Sequence, residues 1–188
     1  MTEHRPVEAK TLSLHLLVLR CQAGDEQAFR RIMDQFSDKT LGYLRGLVGD
    51  DAEDVHQDVW LSVYRSIGGL ANPGAFRTWL FQTTRHRALD FLRRRKRERE
   101  LLDDVANDLL DTNESSTDDS LTGVDESALE AALMAIPPPQ REVMVLKYRD
   151  GLSYEEIALV VGCPIGTVRT RLHHAKRRLH ELLTRGLP

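Results

Sequence analysis

Cysteine is nearly missing from this chain. Only Cys21 and Cys163 occur, far apart in the sequence. A disulfide framework or a zinc site would need more ligands at closer spacing, so two reduced thiols are expected. The histidines do not change this. His173 and His174 are sequence neighbours and point in different directions on a helix, so they cannot chelate one ion as an i, i+4 pair does. No metal and no cofactor is expected. Long apolar runs are missing as well. Hydrophobic residues make up 41% of the chain, but no stretch approaches the roughly 20 residues of a spanning helix. Met1 to Lys10 is polar and mixed in charge, without the apolar run of a secretory signal. Membrane insertion is therefore not expected, and the cytoplasm is the expected compartment. Period-two alternation is missing too. Apolar residues recur at helical spacing almost everywhere, which predicts an all-α protein.

One sign of charge is almost absent from the middle of the chain. Residues 98–127 hold a single cation, Arg99, against 11 Asp/Glu. Residues 1–97 hold 16 Lys/Arg and 12 Asp/Glu, and residues 128–188 hold 9 and 6. The formal net charge of −3 therefore hides two mildly basic blocks joined by an acidic strap, and nucleic-acid partners must be judged block by block. The strap contains Asp111-Thr112-Asn113-Glu114-Ser115-Ser116-Thr117-Asp118-Asp119-Ser120, too polar to build a core. The pairs Leu101-Leu102 and Leu109-Leu110 are short apolar patches within it, suited to docking. At 188 residues the chain has room for two small domains. The expected division is a first helical domain over 12–99, an acidic linker over 100–126 and a second helical domain over 127–185.

In the first block, Leu14, Leu17 and Val18 begin one helix. A second follows Ala23-Gly24-Asp25 and runs to Gly49. A third covers about Asp51 to Ile67. Gly68-Gly69 and Asn72-Pro73-Gly74 mark a loop, and a fourth helix runs from near Phe76 to about Arg99. In the second block, Ala128 to Ile136 is helical until Pro137-Pro138-Pro139 stops it, and Pro139 suits the first turn of the next helix. Ser153 with Glu156 three residues on is a capping box. Ile157, Ala158 and Val161 point inward, and Gly162 follows where a tight turn favours positive φ. Val168, Leu172, Ala175 and Leu179 line one face of a last helix, from about Ile165 to Leu183. Residues 165–178 carry five basic side chains and no acid. This is the mechanics of a helix-turn-helix whose second helix suits a DNA major groove.

The third helix has a buried ridge of Val55, Val59 and Val63. Asp54, Gln57, Asp58 and Leu61 form a second stripe. Two carboxylates do not suit DNA there; they suit a protein partner with a basic, partly apolar helix. Taken alone, the stripe reads as an ordinary solvated face. The fourth helix changes the balance. Phe76-Arg77-Thr78-Trp79-Leu80-Phe81 leads into residues 85–97, with seven Lys/Arg and one acid, Asp90. Aromatics before a basic stretch suit unpaired bases and their phosphates. Neutralising about five phosphates gives a log–log salt slope near −4.5 on duplex DNA. Trp79 is expected in the core, while Phe76 and Phe81 are candidates for the surface.

These pieces resemble the extracytoplasmic-function (ECF) sigma factors of bacterial RNA polymerase, from about Leu14 to Leu183. The resemblance rests on several stretches in order: 51–60 (Asp51 to Trp60), 76–80 (Phe76 to Leu80), 87–94 (Arg87 to Arg94), 151–158 (Gly151 to Ala158) and 166–172 (Gly166 to Leu172). It implies core RNA polymerase as partner, through its clamp and flap, and promoter DNA, both double- and single-stranded. It further implies an anti-sigma factor or other protein inhibitor. Asp54, Gln57, Asp58 and Leu61 would grip the polymerase clamp. Phe76, Arg85, His86, Arg87, Arg93, Arg94 and Arg97 would melt and read the downstream promoter box, with a flipped base held in the loop from Gly68 to Ala75. Thr167, Arg169, Thr170, Arg171, His173, His174 and Arg177 would read the upstream box. No catalytic residue is implied. The chain departs from the family pattern at Thr83-Thr84, where apolar residues are usual, at His86, where Asn is usual, and at Pro164, where Ser often caps the recognition helix.

Boxes about two duplex turns apart are separated by about 70 Å. Thirty extended residues reach roughly 100 Å, but as a coil they average nearer 30 Å. The domains are therefore expected to pack together, or to be held by a partner, when polymerase is absent. The competing reading is an autonomous helix-turn-helix regulator. It would need a dimer for two half-sites, no heptad extension supplies one, and the basic fourth helix would have no task. A nucleic-acid enzyme would need a metal cluster or a nucleophile and base, and Asp54 and Asp58 have no third ligand nearby.

Overall fold

The computed structural model describes residues 5–103 and 126–185. Its first domain is four helices. Helix α1 (Arg5–Gln22) ends at a turn, and Asp25 caps α2 (Glu26–Val48). One Asp25 oxygen accepts the backbone N–H groups of Gln27 at 2.9 Å and Ala28 at 3.1 Å. The Arg20 guanidinium takes the other at 2.5 Å. The Ala28 N–H, then Arg20, hold this carboxyl below its ordinary range. Helix α3 (Ala52–Ser66) follows a 3-10 turn, and α4 (Phe76–Asp103) follows a second loop in which Asn72 accepts the Gly74 N–H at 3.0 Å. The valine ridge of α3 is buried, as its period requires. It meets Val18, Ile32, Phe36, Leu44, Phe76, Leu80 and Ala88 in one core.

Two helices are longer than the apolar pattern predicts. Helix α1 begins at Arg5 rather than near Leu14, and α4 runs to Asp103 rather than about Arg99. The added stretches include Glu8, Ala9, Lys10, Leu12, Glu100, Leu101 and Leu102, residue types that favour helix without needing a core. The first residues of the expected linker therefore belong to α4, and Leu101 is exposed there. The rest of the linker, 104–125, including Leu109-Leu110, lies outside the described residues.

The second domain holds α5 (Glu126–Met134), α6 (Pro138–Tyr148), α7 (Tyr154–Val161) and α8 (Ile165–Arg185). The capping box is formed. Ser153 Oγ accepts the Glu156 N–H at 3.1 Å, and Glu156 Oε2 accepts the Ser153 N–H at 2.7 Å. Gly162 takes φ +69°, a left-handed conformation that strains any residue with a Cβ, and this turns the chain from α7 into α8. Ile136, Val143, Leu146, Leu152, Ile157, Val168 and Leu172 fill the core.

The two domains pack directly on each other, α2 against α6 and α4 against α7. Tyr43 of α2 and Phe81 of α4 belong to the second domain's core, with rings edge to face at 5.6 Å. Both are essentially inaccessible to solvent. Such rings bury roughly 150–250 Å² each, worth several kcal/mol apiece at about 25 cal/mol per Å². Contact between the domains, one of the two arrangements expected from the linker's reach, is what the chain adopts.

Candidate nucleic-acid interface

Asp54, Gln57, Asp58 and Leu61 all stand exposed on one stripe of α3. The stripe continues to Ser62 and Arg65, because residues at i, i+3, i+4 and i+7 share a helix face. Across from it, α4 presents Arg87, Asp90, Arg94 and Arg97. These eight positions other than Asp54 and Gln57 line one open groove of about 400 Å³. The Asp58–Leu61–Ser62–Arg65 stretch of α3 and the Arg87–Asp90–Arg94–Arg97 face of α4 are thus two walls of one surface rather than separate sites. Arg65 was not singled out from the sequence, although its spacing from Leu61 places it on the same stripe.

Along α4 the candidate cations divide. His86, Arg87, Arg93, Arg94 and Arg97 are exposed. Arg93 pairs with Asp90 at 3.0 Å, an exposed i, i+3 contact of little energetic weight. Arg95 bonds Asp51 and ties the helix back to the turn before α3. Arg85 is different. Its Nε donates to the buried Glu142 carboxylate of α6 at 2.8 Å.

Phe76 requires a correction. It is 0% exposed, edge to face with Phe36 at 5.8 Å, in the middle of the first core. It lies one helical turn before Leu80, which is also buried, so it points inward and cannot receive a base here. Phe81 is equally inaccessible, and Trp79 packs against the first core as expected. The aromatic lead-in to the basic stretch is packing, not a stacking platform. Thr83 and Thr84 are accommodated without loose ends. Each hydroxyl donates to the carbonyl four residues back, Trp79 and Leu80, at 2.9 Å.

On α8, Arg169, Thr170, His173 and Arg177 are exposed. They follow i, i+1, i+4, i+8 and share one outward face. The Arg169 guanidinium lies 5.9 Å from the Tyr154 ring centre, and Arg177 reaches Glu181 at 3.7 Å. Thr167, Arg171 and His174 are half-buried at the edges of that face, and Arg171 Nη1 contacts Cys163 Sγ at 3.9 Å. Pro164 accepts the N–H groups of Thr167 at 2.9 Å and Val168 at 3.2 Å through its carbonyl, so the first turn of α8 is closed without a side-chain cap.

Comparison with known proteins follows the same two-part division. Residues 32–98 match the family described as Sigma-70 region 2, and residues 126–179 match Sigma-70, region 4. The RNA polymerase sigma-H factor of Pseudomonas aeruginosa is 32% identical over 177 residues, covering 89% of this chain and 92% of that protein. The ECF RNA polymerase sigma-E factor of Haemophilus influenzae is 32% identical over 182 residues, covering 92% and 96%. Among solved structures, the sigma factor RpoE in complex with the anti-sigma factor NepR from Bartonella quintana superposes with a TM-score of 0.64 at 28% identity, covering 83% of this chain and 96% of that one.

Proposed function

The chain belongs to the ECF sigma factors, and from that premise we propose how its surfaces divide the work of starting transcription. As a member it is a sigma factor that binds core RNA polymerase and is not itself an enzyme. In our reading, residues 12–99 dock on the polymerase clamp through Asp54, Gln57, Asp58 and Leu61. The exposed cations of α4 take the melted downstream box. His86, Arg87, Arg93, Arg94 and Arg97 face solvent there, and cations of this kind track phosphates. Residues 127–185 read the upstream box with Arg169, Thr170, His173 and Arg177, flanked by Thr167, Arg171 and His174. Arginine forks are suited to guanine edges, and a threonine hydroxyl can donate to or accept from a base edge. The polymerase flap is the second dock, an anti-sigma protein the restraint, and the cytoplasm the compartment.

The observation that carries this reading is the groove between α3 and α4, where a carboxylate-bearing stripe and a row of arginines meet side by side. A surface for DNA alone would not include Asp58, and a surface for protein alone would not need Arg87, Arg94 and Arg97. An autonomous helix-turn-helix regulator leaves this groove without a task, and nothing in the fold favours that alternative.

Co-elution with bacterial core polymerase on a sizing column tests the proposal. The wild type is expected to co-elute, and Asp54→Arg/Asp58→Arg to elute alone while melting at the wild-type temperature. Tight specific DNA binding by the wild type with no affinity for core would overturn it.

A further inference from the structure

Helix α1 does more than cover the first core. His15 and Gln22 lie seven residues apart, so they share one face of the helix. The loop joining α3 to α4 contains two 3-10 turns, Ile67–Gly69 and Pro73–Ala75, and α1 packs on both. Gln22, the last residue of α1, is half-buried and reaches the first turn. Its Nε2 donates to the Ile67 carbonyl at 3.1 Å and to the Leu70 carbonyl at 2.8 Å. A side-chain amide nitrogen has two hydrogens, so one group satisfies both acceptors. His15 lies beside the second turn, where a Cβ on Gly74 would stand 3.7 Å from its Nδ1.

The loop needs support from outside. Between Ile67 and Phe76 it holds Gly68, Gly69 and Gly74, and glycine loses the most backbone freedom when a conformation is fixed. The loop's own bonds are local. The Leu70 N–H donates to the Ile67 carbonyl at 3.2 Å, the Gly74 N–H to Asn72 Oδ1 at 3.0 Å and the Ala75 N–H to the Asn72 carbonyl at 2.9 Å. They close each turn separately and do not tie one turn to the other. Gln22 and His15 stand on one helix, so α1 gives both turns a common frame.

What this frame holds is suited to a nucleobase. Gly68, Gly69, Ala71, Asn72 and Gly74 are exposed. Among them only Asn72 has a polar side chain, so backbone N–H and C=O groups are most of what these residues offer a ligand. Backbone groups select a base edge best when they are already in place, because ordering them on binding consumes part of the contact energy. The loop also continues the α3/α4 groove. Arg65, which lines that groove, is two residues before Ile67. An unpaired strand whose phosphates follow Arg94 and Arg87 towards Arg65 would run on to the loop.

We propose that Gln22 is a positioning residue for reading the downstream strand: through its two carbonyl contacts, α1 fixes the loop in the shape that selects one unpaired base. This deepens the sigma-factor reading above and rests on it. Gln22 itself touches no base. A role confined to folding would change stability without changing selectivity at a single position.

Gln22→Glu tests this at nearly constant shape, because a carboxylate only accepts and would face two carbonyl oxygens. Gln22→Ala, which removes the donors and adds no charge, takes its place if the first variant does not fold. In the free full chain, amide hydrogen exchange over 68–75 should become about tenfold faster, the order expected for losing a net hydrogen bond, with the rest of the chain and the circular dichroism unchanged. Each protein is then joined to core polymerase and offered a duplex pool randomised across both promoter boxes, and the open complexes are sequenced. The wild type should show base preferences in both boxes. The variant should lose preference at one downstream position by about tenfold, the scale of one good base contact, and keep it at the other downstream positions and in the upstream box. A folded variant with wild-type downstream preference would overturn the proposal, as would unchanged loop exchange or an even loss over all positions. A wild-type holoenzyme that opens no member of the pool overturns the functional reading instead, and the exchange result still judges the hold of α1 on the loop.

Discussion

His56 is a neutral acceptor inside α3. Trp60 Nε1, which can only donate, lies 2.8 Å from His56 Nε2, with Thr40 Oγ1 at 3.0 Å from the same nitrogen. That nitrogen is therefore unprotonated. Burial is the main cause that lowers the imidazole pKa below its ordinary 6.5. The sign follows from linkage. The unfolded chain takes up the proton first, so the stabilisation is complete above about pH 6.5 and is lost as the pH falls through the lower folded value. The melting temperature should drop between pH 7 and 5 more steeply for the wild type than for His56→Gln, which keeps an acceptor but cannot titrate; equal slopes would show that His56 is not responsible. On α8, Arg169→Ala should cost about 1–3 kcal/mol on the preferred upstream sequence and relax selectivity at one base. Arg177→Ala should likewise relax selectivity, at a second base, and titrations on single-base variants of the duplex read both.

At the level of the helix, local sequence is a close guide. The capping box at Ser153 and the turn at Gly162 are formed as the residues predict, because both depend on neighbours within four positions. Ser153→Ala should cost about 1 kcal/mol. With the two domains packed on each other, for a chain of 188 residues that is a melting shift of roughly 2–4 °C, readable by circular dichroism. The row on α4 gives a second prediction. Replacing Arg87, Arg94 and Arg97 with Gln removes three phosphate partners and should lower the single-strand salt slope of the holoenzyme by about 2 at roughly 0.7 per contact. Helical period was less informative about what each face of α4 meets. Phe76, Phe81 and Arg85 looked available to nucleic acid, since aromatic and cationic residues serve cores, interfaces and DNA equally well.

Across the whole molecule, Tyr43 and Phe81 of the first domain are buried in the core of the second. Phe81→Ala should destabilise the full chain by about 3–5 kcal/mol, read from urea unfolding, although residue 81 lies in the first domain and its ring fills the second. A change below about 1 kcal/mol would mean that the domains move independently in solution. The same packing accounts for Glu142, which sequence inspection passed over. A lone glutamate after a proline-bounded helix start carries no sign of burial, and its partners Tyr43 and Arg85 are 99 and 57 residues away.

What the amino-acid order determined by itself was most of what short spacing sets: the eight helices of the described residues apart from the start of α1 and the end of α4, two domains, an acidic middle, the acidic stripe of α3 and the basic faces of α4 and α8. Apolar period, caps and charge runs act over one or two turns, so they are legible without coordinates. Only the tertiary structure decided which face of α4 is free, that Phe76 and Phe81 are core, and that Glu142 of α6 accepts from Tyr43 and Arg85 of the other domain. Those outcomes depend on which buried surfaces find complementary partners far along the chain.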